Sequence, residues 1–252
     1  MFWQKDLVIP KKGNTFEECE DSICIYPPKE RTNIKNYKFA VSDGATESSF
    51  SKEWAALLTS SIKSKAHISI KNLLNFLPIL QTEWKRDVFS RPLPYYAEIK
   101  ANQGAFSTFI GLQIKRKEFL YKCIAIGDCC FFHLRESSII KCFPIINSSE
   151  FGNNPYLISS NPSQNFELNK YLKETNGEIM YGDIFFLMSD ALAHWFMSRY
   201  EQNDKPWEII LNLLKDCDCF LNNEIFEKWL ENQRQKGFIK NDDTSIIAIE
   251  IK

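Results

Sequence analysis

Four aspartates stand where apolar runs begin or end. Phe39-Ala-Val-Ser-Asp-Gly-Ala45 carries a core-like run straight into Asp43 and a glycine. Ile124-Ala-Ile-Gly-Asp128, Ile184-Phe-Phe-Leu-Met-Ser-Asp190 and Asp242-Asp-Thr-Ser-Ile-Ile-Ala-Ile-Glu-Ile251 repeat the arrangement, each an apolar strand flanked at one end by Asp. A lone Asp-Gly at a strand end most simply turns a hairpin. Four such acids scattered over the chain, with Glu20 and Asp21 just before another short apolar run, point instead to one acidic site assembled from distant segments.

Carboxylates brought together repel one another unless protons or cations neutralise them. Donors that are all oxygen select hard cations, Mg²⁺ or Mn²⁺. An Asp can bridge two such ions roughly 4 Å apart, and a water held between them becomes hydroxide-like near neutral pH. That chemistry suits in-line attack on a phosphate ester and needs no Ser, Cys or His nucleophile. The chain agrees. His67, His133 and His194 are its three histidines, none in a triad-like context, and ordinary structural roles are expected for them.

The elements that must position these acids follow from periodicity. Strands are expected at 7–9, 22–26, 37–42, 106–114, 118–126, 129–135, 138–143, 184–188 and 244–251. The connections between 106 and 143 are too short for parallel crossovers, so an antiparallel meander is expected there. Helical spacing of Trp54, Leu57, Leu58 and Ile62 predicts a helix to about Lys65, with Ser51 as its N-cap. A second helical region spans 69–89, kinked or divided at Pro78. Asp190 opens a helix directly at a strand end. Two more helices follow, one after Asp204 and Pro206, and a last one around Ile225–Leu230 that Gly237 stops. Residues 29–36 read as a polar turn, and Arg91-Pro-Leu-Pro94 as a break. Residues 144–178, rich in Asn, Ser and Pro, read as a long surface excursion or flap. Strands and helices fall in blocks rather than alternating, so the expected class is α+β, with antiparallel sheets and helices outside.

Composition bounds the rest. At 252 residues, 44% hydrophobic and 25% charged, one sizeable core and one domain over 1–252 are expected. Net charge is -1, with 31 Lys+Arg against 32 Asp+Glu, so no global field favours nucleic acid or an anionic membrane. The longest apolar runs are far short of the roughly 20 residues that span a bilayer. The eight Cys include no Cys-x-x-Cys pair. Cys129-Cys130 and Cys217-Asp-Cys219 suit neither zinc nor a thioredoxin-type site. Several Cys sit inside strands, and Met1-Phe-Trp-Gln-Lys-Asp6 has no signal-like apolar core, so a reduced, cytoplasmic setting is expected.

In order and spacing the motifs resemble the metal-dependent protein phosphatase 2C family of Ser/Thr phosphatases, from about residue 13 to the C-terminus. Glu20-Asp21 is similar to the family's early Glu-Asp, and Phe39–Gly44 to its Asp-Gly strand end. Gly104-Ala-Phe-Ser-Thr108 looks like its Gly-x-x-Thr segment, and Gly127-Asp128 like Gly-Asp-Ser. Gly182–Asp190 resembles Gly-Asp, strand, Ser-Asp-Gly. Asp242-Asp243-Thr-Ser245 resembles the final Asp-Asn-x-Thr. Each motif is weak singly; their shared order is the signal.

The resemblance implies two antiparallel sheets packed as a sandwich and flanked by helices, with two Mn²⁺ or Mg²⁺ ions in a cleft at one end. It implies that Asp43 bridges both ions, that Gly44 offers its carbonyl oxygen, that Asp190 and Asp242 ligate one ion and that Asp21 ligates the other, directly or through water. Asp128 matches a position that helps hold a third, weaker ion. Asp183 and Asp243 are expected to be a turn residue and a supporting residue outside the ligand set. Phe16 falls near the place of the family's phosphate-binding arginine, for which Lys11 and Lys12 are the substitutes the sequence offers. Ala45 stands where some members have His, Ala191 replaces the glycine of Ser-Asp-Gly, and Cys129 replaces the serine of Gly-Asp-Ser. The implied activity is hydrolysis of phosphoserine and phosphothreonine in proteins by a metal-activated water, in a monomer whose partners are phosphorylated proteins, a kinase or a kinase target. The rival readings are a phosphatase-like module that binds phosphorylated partners, and a phosphatase for small phosphorylated metabolites.

Overall fold

A computed structural model describes residues 2–28, 36–64, 66–90, 92–152, 154–215 and 223–252. The expected turn over 29–36, the helix end at Lys65 and the Cys217/Cys219 pair lie wholly or partly outside them. The strands are β1 (Phe2–Ile9), β2 (Ser22–Tyr26), β3 (Asn36–Ser42), β4 (Phe106–Ser107), β5 (Phe109–Lys115), β6 (Leu120–Ile126), β7 (Cys130–Arg135), β8 (Ser138–Phe143), β9 (Ile158–Ser159), β10 (Lys173–Glu178), β11 (Ile184–Met188) and β12 (Thr244–Ile251). The α-helices are α1 (Ser51–Ser60), α2 (Ile70–Val88), α3 (Tyr95–Gln103), α4 (Leu168–Tyr171), α5 (Asp190–Glu201), α6 (Pro206–Lys215) and α7 (Asn223–Gln235).

Two five-stranded sheets form, ordered β1-β12-β11-β7-β8 and β10-β6-β5-β3-β2. Their strand pairs are antiparallel. The sheets stack face to face, and helices cover both outer faces. This explains why the central strands are apolar at nearly every position: alternate side chains enter different cores. Phe131, Phe185, Leu187, Ile247 and Ile249 face Phe39, Val41, Ile110 and Leu112 between the sheets. Their neighbours Phe132, Phe186, Met188, Ile246 and Ala248 point the other way, onto Leu192, Phe196, Ile210 and Phe226 of α5–α7. Ala40, Ile124 and Ile126 meet Trp54 and Leu58 of α1 and Leu73, Leu77 and Trp84 of α2. The architecture is of the α+β class that the block pattern implies, and it is the sandwich of two antiparallel sheets that the resemblance implies. Among the described residues no helix is long and apolar enough to cross a membrane.

Several local expectations change. Phe50, in a left-handed conformation, takes the N-cap place of α1. Ser51 is the first helical residue, and its hydroxyl is drawn to Glu20 Oε1 at 2.5 Å instead. Helix α2 runs undivided through Pro78. Helix α3 carries no apolar stripe, only Ala101 being buried, so periodicity leaves it unmarked. The run 106–114 splits at Thr108, where β4 leaves the large sheet to pair with β9.

The 144–178 segment is not a free excursion. Its Ile158 is fully buried, the Trp54 indole donates to the Ile158 carbonyl at 2.9 Å and Gln81 donates to that of Ser159 at 3.0 Å. Its last six residues are the edge strand β10 on β6. Lys173-Glu-Thr-Asn-Gly-Glu178 has no apolar alternation because neither of its faces meets a core.

Candidate metal centre

Strand register collects the acids. Ser22 pairs with Ser42, so Asp21 before β2 and Asp43 after β3 share one end of their sheet. In the other sheet Met188 pairs with both Cys130 and Ile246. That brings Asp190, Asp128 and the Asp242-Asp243 turn to a common end. Burial and mutual repulsion show that the two ends meet. Desolvation raises the Asp43 carboxyl well above its ordinary value, and the charges of Asp21, Asp190, Asp128 and Asp242 push it further.

The same causes act on its neighbours. Asp21 is pushed up to about 8 by burial and the charges of Asp243 and Asp190, against nearby hydroxyls of Ser245 and Ser189. Asp128 is pushed up to about 7 by burial and by Asp190 and Asp242, with Lys240 opposing. Burial and Asp242 also raise Asp190, against Lys240, the Ala191 N–H and a hydrogen bond shared with Asp43.

Asp21 makes the sharpest statement. It is 6% exposed, and neither carboxylate oxygen has a hydrogen-bond partner at bonding geometry. Such a group costs free energy unless a proton or a cation takes it up. Among the described residues no three His, Cys, Asp or Glu side chains already close around a single ion position. The five aspartates act on one another electrostatically, Lys240 stands beside Asp242, and the donors these acids offer are all oxygens. The residues present therefore fit hard divalent cations.

The scaffold around Asp43 explains the Gly104–Thr108 segment. The Asp43 N–H donates to Thr108 Oγ1 at 2.9 Å. Its carbonyl accepts the Thr108 N–H at 2.9 Å and Ser107 Oγ at 2.6 Å. Cys129, in place of the expected serine, lies 3.0 Å from Thr108 Oγ1 through its sulfur. At Gly44 an added Cβ would stand 2.9 Å from Ser51 Cβ and 3.0 Å from the Glu20 carbonyl oxygen. Glycine is thus required there by the packing of α1 and the 20–21 turn against β3. Gly127 has φ +88°, and a Cβ would meet Thr108 Cγ2 at 2.7 Å, so it both turns the chain into Asp128 and seats Thr108.

Asp243 supports the site from outside the ligand set. Its two oxygens accept the N–H groups of Lys11 at 2.7 Å and Glu20 at 2.8 Å, tying the segment before Asp21 to the last strand. Arg234 braces the same turn, donating to the Asp242 carbonyl at 2.6 Å and to the Pro10 carbonyl at 3.2 Å. Sequence reasoning missed Arg234, which lies on a helix with an ordinary charge pattern. It also missed Lys240, whose ammonium is 2.6 Å from Asp242 Oδ2; a basic residue two positions before the acid is its one signal.

Other expected residues lie elsewhere. Lys11 Nζ is held by Glu20 Oε2 at 3.5 Å and Thr46 Oγ1 at 3.3 Å. Lys12 is turned to Glu231 at 3.4 Å. Phe16 is exposed, and Lys52 donates to its carbonyl. Asp183 is no simple turn residue. Fully buried, it binds His133 Nε2, Arg135 Nε and Arg135 Nη2, each at 2.8 Å. Burial pulls its pKa up, but Arg135, the Met180 N–H and His133 outweigh burial and leave it below the ordinary carboxylate value. It sits before β11, at the strand end opposite Asp190. His133 is thereby structural, and His67 Nδ1 lies 3.1 Å from Gln113 Nε2. A separate cavity of about 560 Å³ between β2, α1 and α2, lined by Cys24, Leu57 and Trp84, contains none of the five acids.

No protein-family model and no curated protein sequence matches the chain. Its fold does match solved structures, which are phosphatases of the protein phosphatase 2C type. One is serine/threonine phosphatase Stp1 from Staphylococcus aureus, 12% identical, with TM-score 0.60 over 100% of this chain and 96% of that one. Another is the catalytic domain of serine/threonine protein phosphatase PstP in complex with 2 manganese ions, 13% identical, with TM-score 0.56 over 100% of both chains. RsbX in complex with magnesium is 15% identical, with TM-score 0.55 over 100% of this chain and 96% of that one. The chain thus has the protein phosphatase 2C fold.

Proposed function

We propose that this chain is a Mn²⁺- or Mg²⁺-dependent phosphatase of phosphoserine and phosphothreonine in proteins, acting as one domain in the cytoplasm. The observation that carries this reading is Asp43 facing four other aspartates, one of them, Asp21, with both oxygens buried and unbonded. Asp43 would serve two ions, with Asp190 and Asp242 on one and Asp21 on the other. Gly44 would add its carbonyl, and Asp128 would favour a third ion. When bound, such ions supply an activated water and screen phosphoryl charge. The fold likeness to PstP with manganese and RsbX with magnesium supports this choice of cation.

The chain's own part is positional. Thr108 and Ser107 fix the Asp43 backbone, Asp243 fixes the segment before Asp21, and Arg234 fixes Asp242. No histidine is placed to protonate the leaving group: His133 is committed to Asp183, and Ala45 occupies the position after Asp43-Gly44.

The test is phosphate release from a phosphothreonine peptide by the purified chain, with and without Mn²⁺, beside Asp43→Asn. Release that needs Mn²⁺ and vanishes in the variant is expected. Release that survives both Asp43→Asn and Asp190→Asn would sink the mechanism. Mn²⁺ binding without release from the peptide would move the substrate to a small phosphorylated metabolite. Neither binding nor release would leave a fold used for recognition.

A further inference from the structure

An ammonium stands in the acidic cleft without being part of its scaffold. Lys240 Nζ is 2.6 Å from Asp242 Oδ2, on a side chain that is 68% exposed. It also faces Asp190, Asp43 and Asp128. Among the described residues the other cations near the site are paired away from the five aspartates' carboxylates. Lys11 is tied to Glu20 and Thr46. Lys12 is tied to Glu231, and the Arg234 guanidinium to the Pro10 and Asp242 carbonyls. Lys240 is therefore an exposed point charge whose partner, Asp242, belongs to the acid cluster itself.

Divalent cations bound by those acids would remove the reason for this contact, because an ammonium and a metal ion compete for the same carboxylate oxygen. The long exposed stem lets the head swing a few ångströms to the mouth of the cleft. There its natural partner is a tetrahedral oxyanion, which a flexible lysine meets as a point charge rather than through a bidentate fork. We propose that Lys240 is the substrate-positioning residue that takes the phosphoryl group of the incoming phosphoester. This rests on the metal-site reading above and supplies the phosphate-binding cation that neither Lys11 nor Lys12 is placed to give.

The idea predicts opposite effects on two ligands, which a structural role does not. Calorimetry would follow Mn²⁺ binding to the wild-type chain, Lys240→Gln and Lys240→Arg, and then binding of inorganic phosphate to each Mn²⁺-loaded protein. In Lys240→Gln, Mn²⁺ affinity is expected to tighten by about two- to fivefold, the scale of an exposed ion pair. Phosphate affinity is expected to weaken about tenfold or more, the scale of a charge-assisted contact. Lys240→Arg should recover phosphate binding in large part. Where peptide turnover is measurable, KM should rise with little change in kcat.

Weaker Mn²⁺ binding in Lys240→Gln would show that the residue props the Asp242 turn and would overturn the inference. So would phosphate affinity equal to the wild type, or no phosphate binding by the Mn²⁺-loaded wild type. Absence of Mn²⁺ binding by the wild-type chain would remove the metal-site reading first, and this inference with it.

Discussion

The surroundings of Asp21 and Asp43 oppose the charged form of both carboxyls. Carboxyls with raised pKa values, and at Asp21 two buried oxygens without a hydrogen-bond partner, are features that cluster at functional sites. At a pH where its members are ionised, the repulsion within the cluster should be released by neutralising one of them. Asp43→Asn is therefore expected to abolish Mn²⁺-dependent turnover while the metal-free protein melts about 2–4 °C higher for each kcal/mol of repulsion removed. Calorimetric melting of both proteins in a chelator checks this, and a lower melting temperature in the variant would mean the carboxylate is structurally needed. Asp243→Asn is a contrasting case, because Asp243 touches backbone N–H groups of Lys11 and Glu20. It should weaken Mn²⁺ binding about 10–100-fold, as loss of a ligand's support does elsewhere, without removing the site.

At the scale of elements, the site is made by strand ends, and other residues hold those ends rigid. Gly44→Ala would drive a methyl against Ser51 and the Glu20 carbonyl. It should cost about 1–3 kcal/mol in a denaturant titration, as overpacking does, and reduce metal binding through the displaced 20–21 turn. Asp183→Ala makes the opposite pattern: His133 and Arg135 lose their common partner, so about 3 kcal/mol of stability should go, with Mn²⁺ affinity unchanged because Asp183 lies at the far end of β11 from Asp190. The strand ends were legible in the sequence because an apolar run stopped by Asp needs no tertiary context to be seen. Strand register brings Asp21 and Asp43 to one sheet end and Asp128, Asp190 and Asp242 to an end of the other sheet, and their charges act on one another. What holds them was not legible. Edge strand β10 is polar on both sides, α3 has no buried stripe, and Ser51 caps no helix because Glu20 claims its hydroxyl. Asp183, a strand-flanking acid like the others, lies at the far end of β11 with Arg135 and His133 beside it, a fact of strand pairing.

Across the whole molecule, the acid cluster gives the metal-free protein a definite pH dependence. A carboxyl such as Asp21, ordinary when unfolded and raised to about 8 when folded, binds its proton more tightly in the native state. Below the unfolded pKa this contributes its full stability, and the contribution is lost as pH rises through the folded value. Relative to Asp21→Asn, the metal-free wild type should therefore lose stability between about pH 5 and about pH 8. Mn²⁺ should offset that loss, raising the melting temperature more at the upper end of this range than at the lower. Melting curves at both pH values, with chelator and with Mn²⁺, check the sign.

The central claim is that five aspartates from distant segments form one divalent-cation site. Its most direct measurement is a calorimetric Mn²⁺ titration of the purified chain near neutral pH, repeated in buffers of different ionisation enthalpy so that proton release is counted. The account predicts binding accompanied by expulsion of protons from Asp21 and Asp128, and no such binding by Asp43→Asn. Failure of the wild-type chain to bind Mn²⁺ at millimolar concentration, or binding of equal strength in Asp43→Asn, would contradict it.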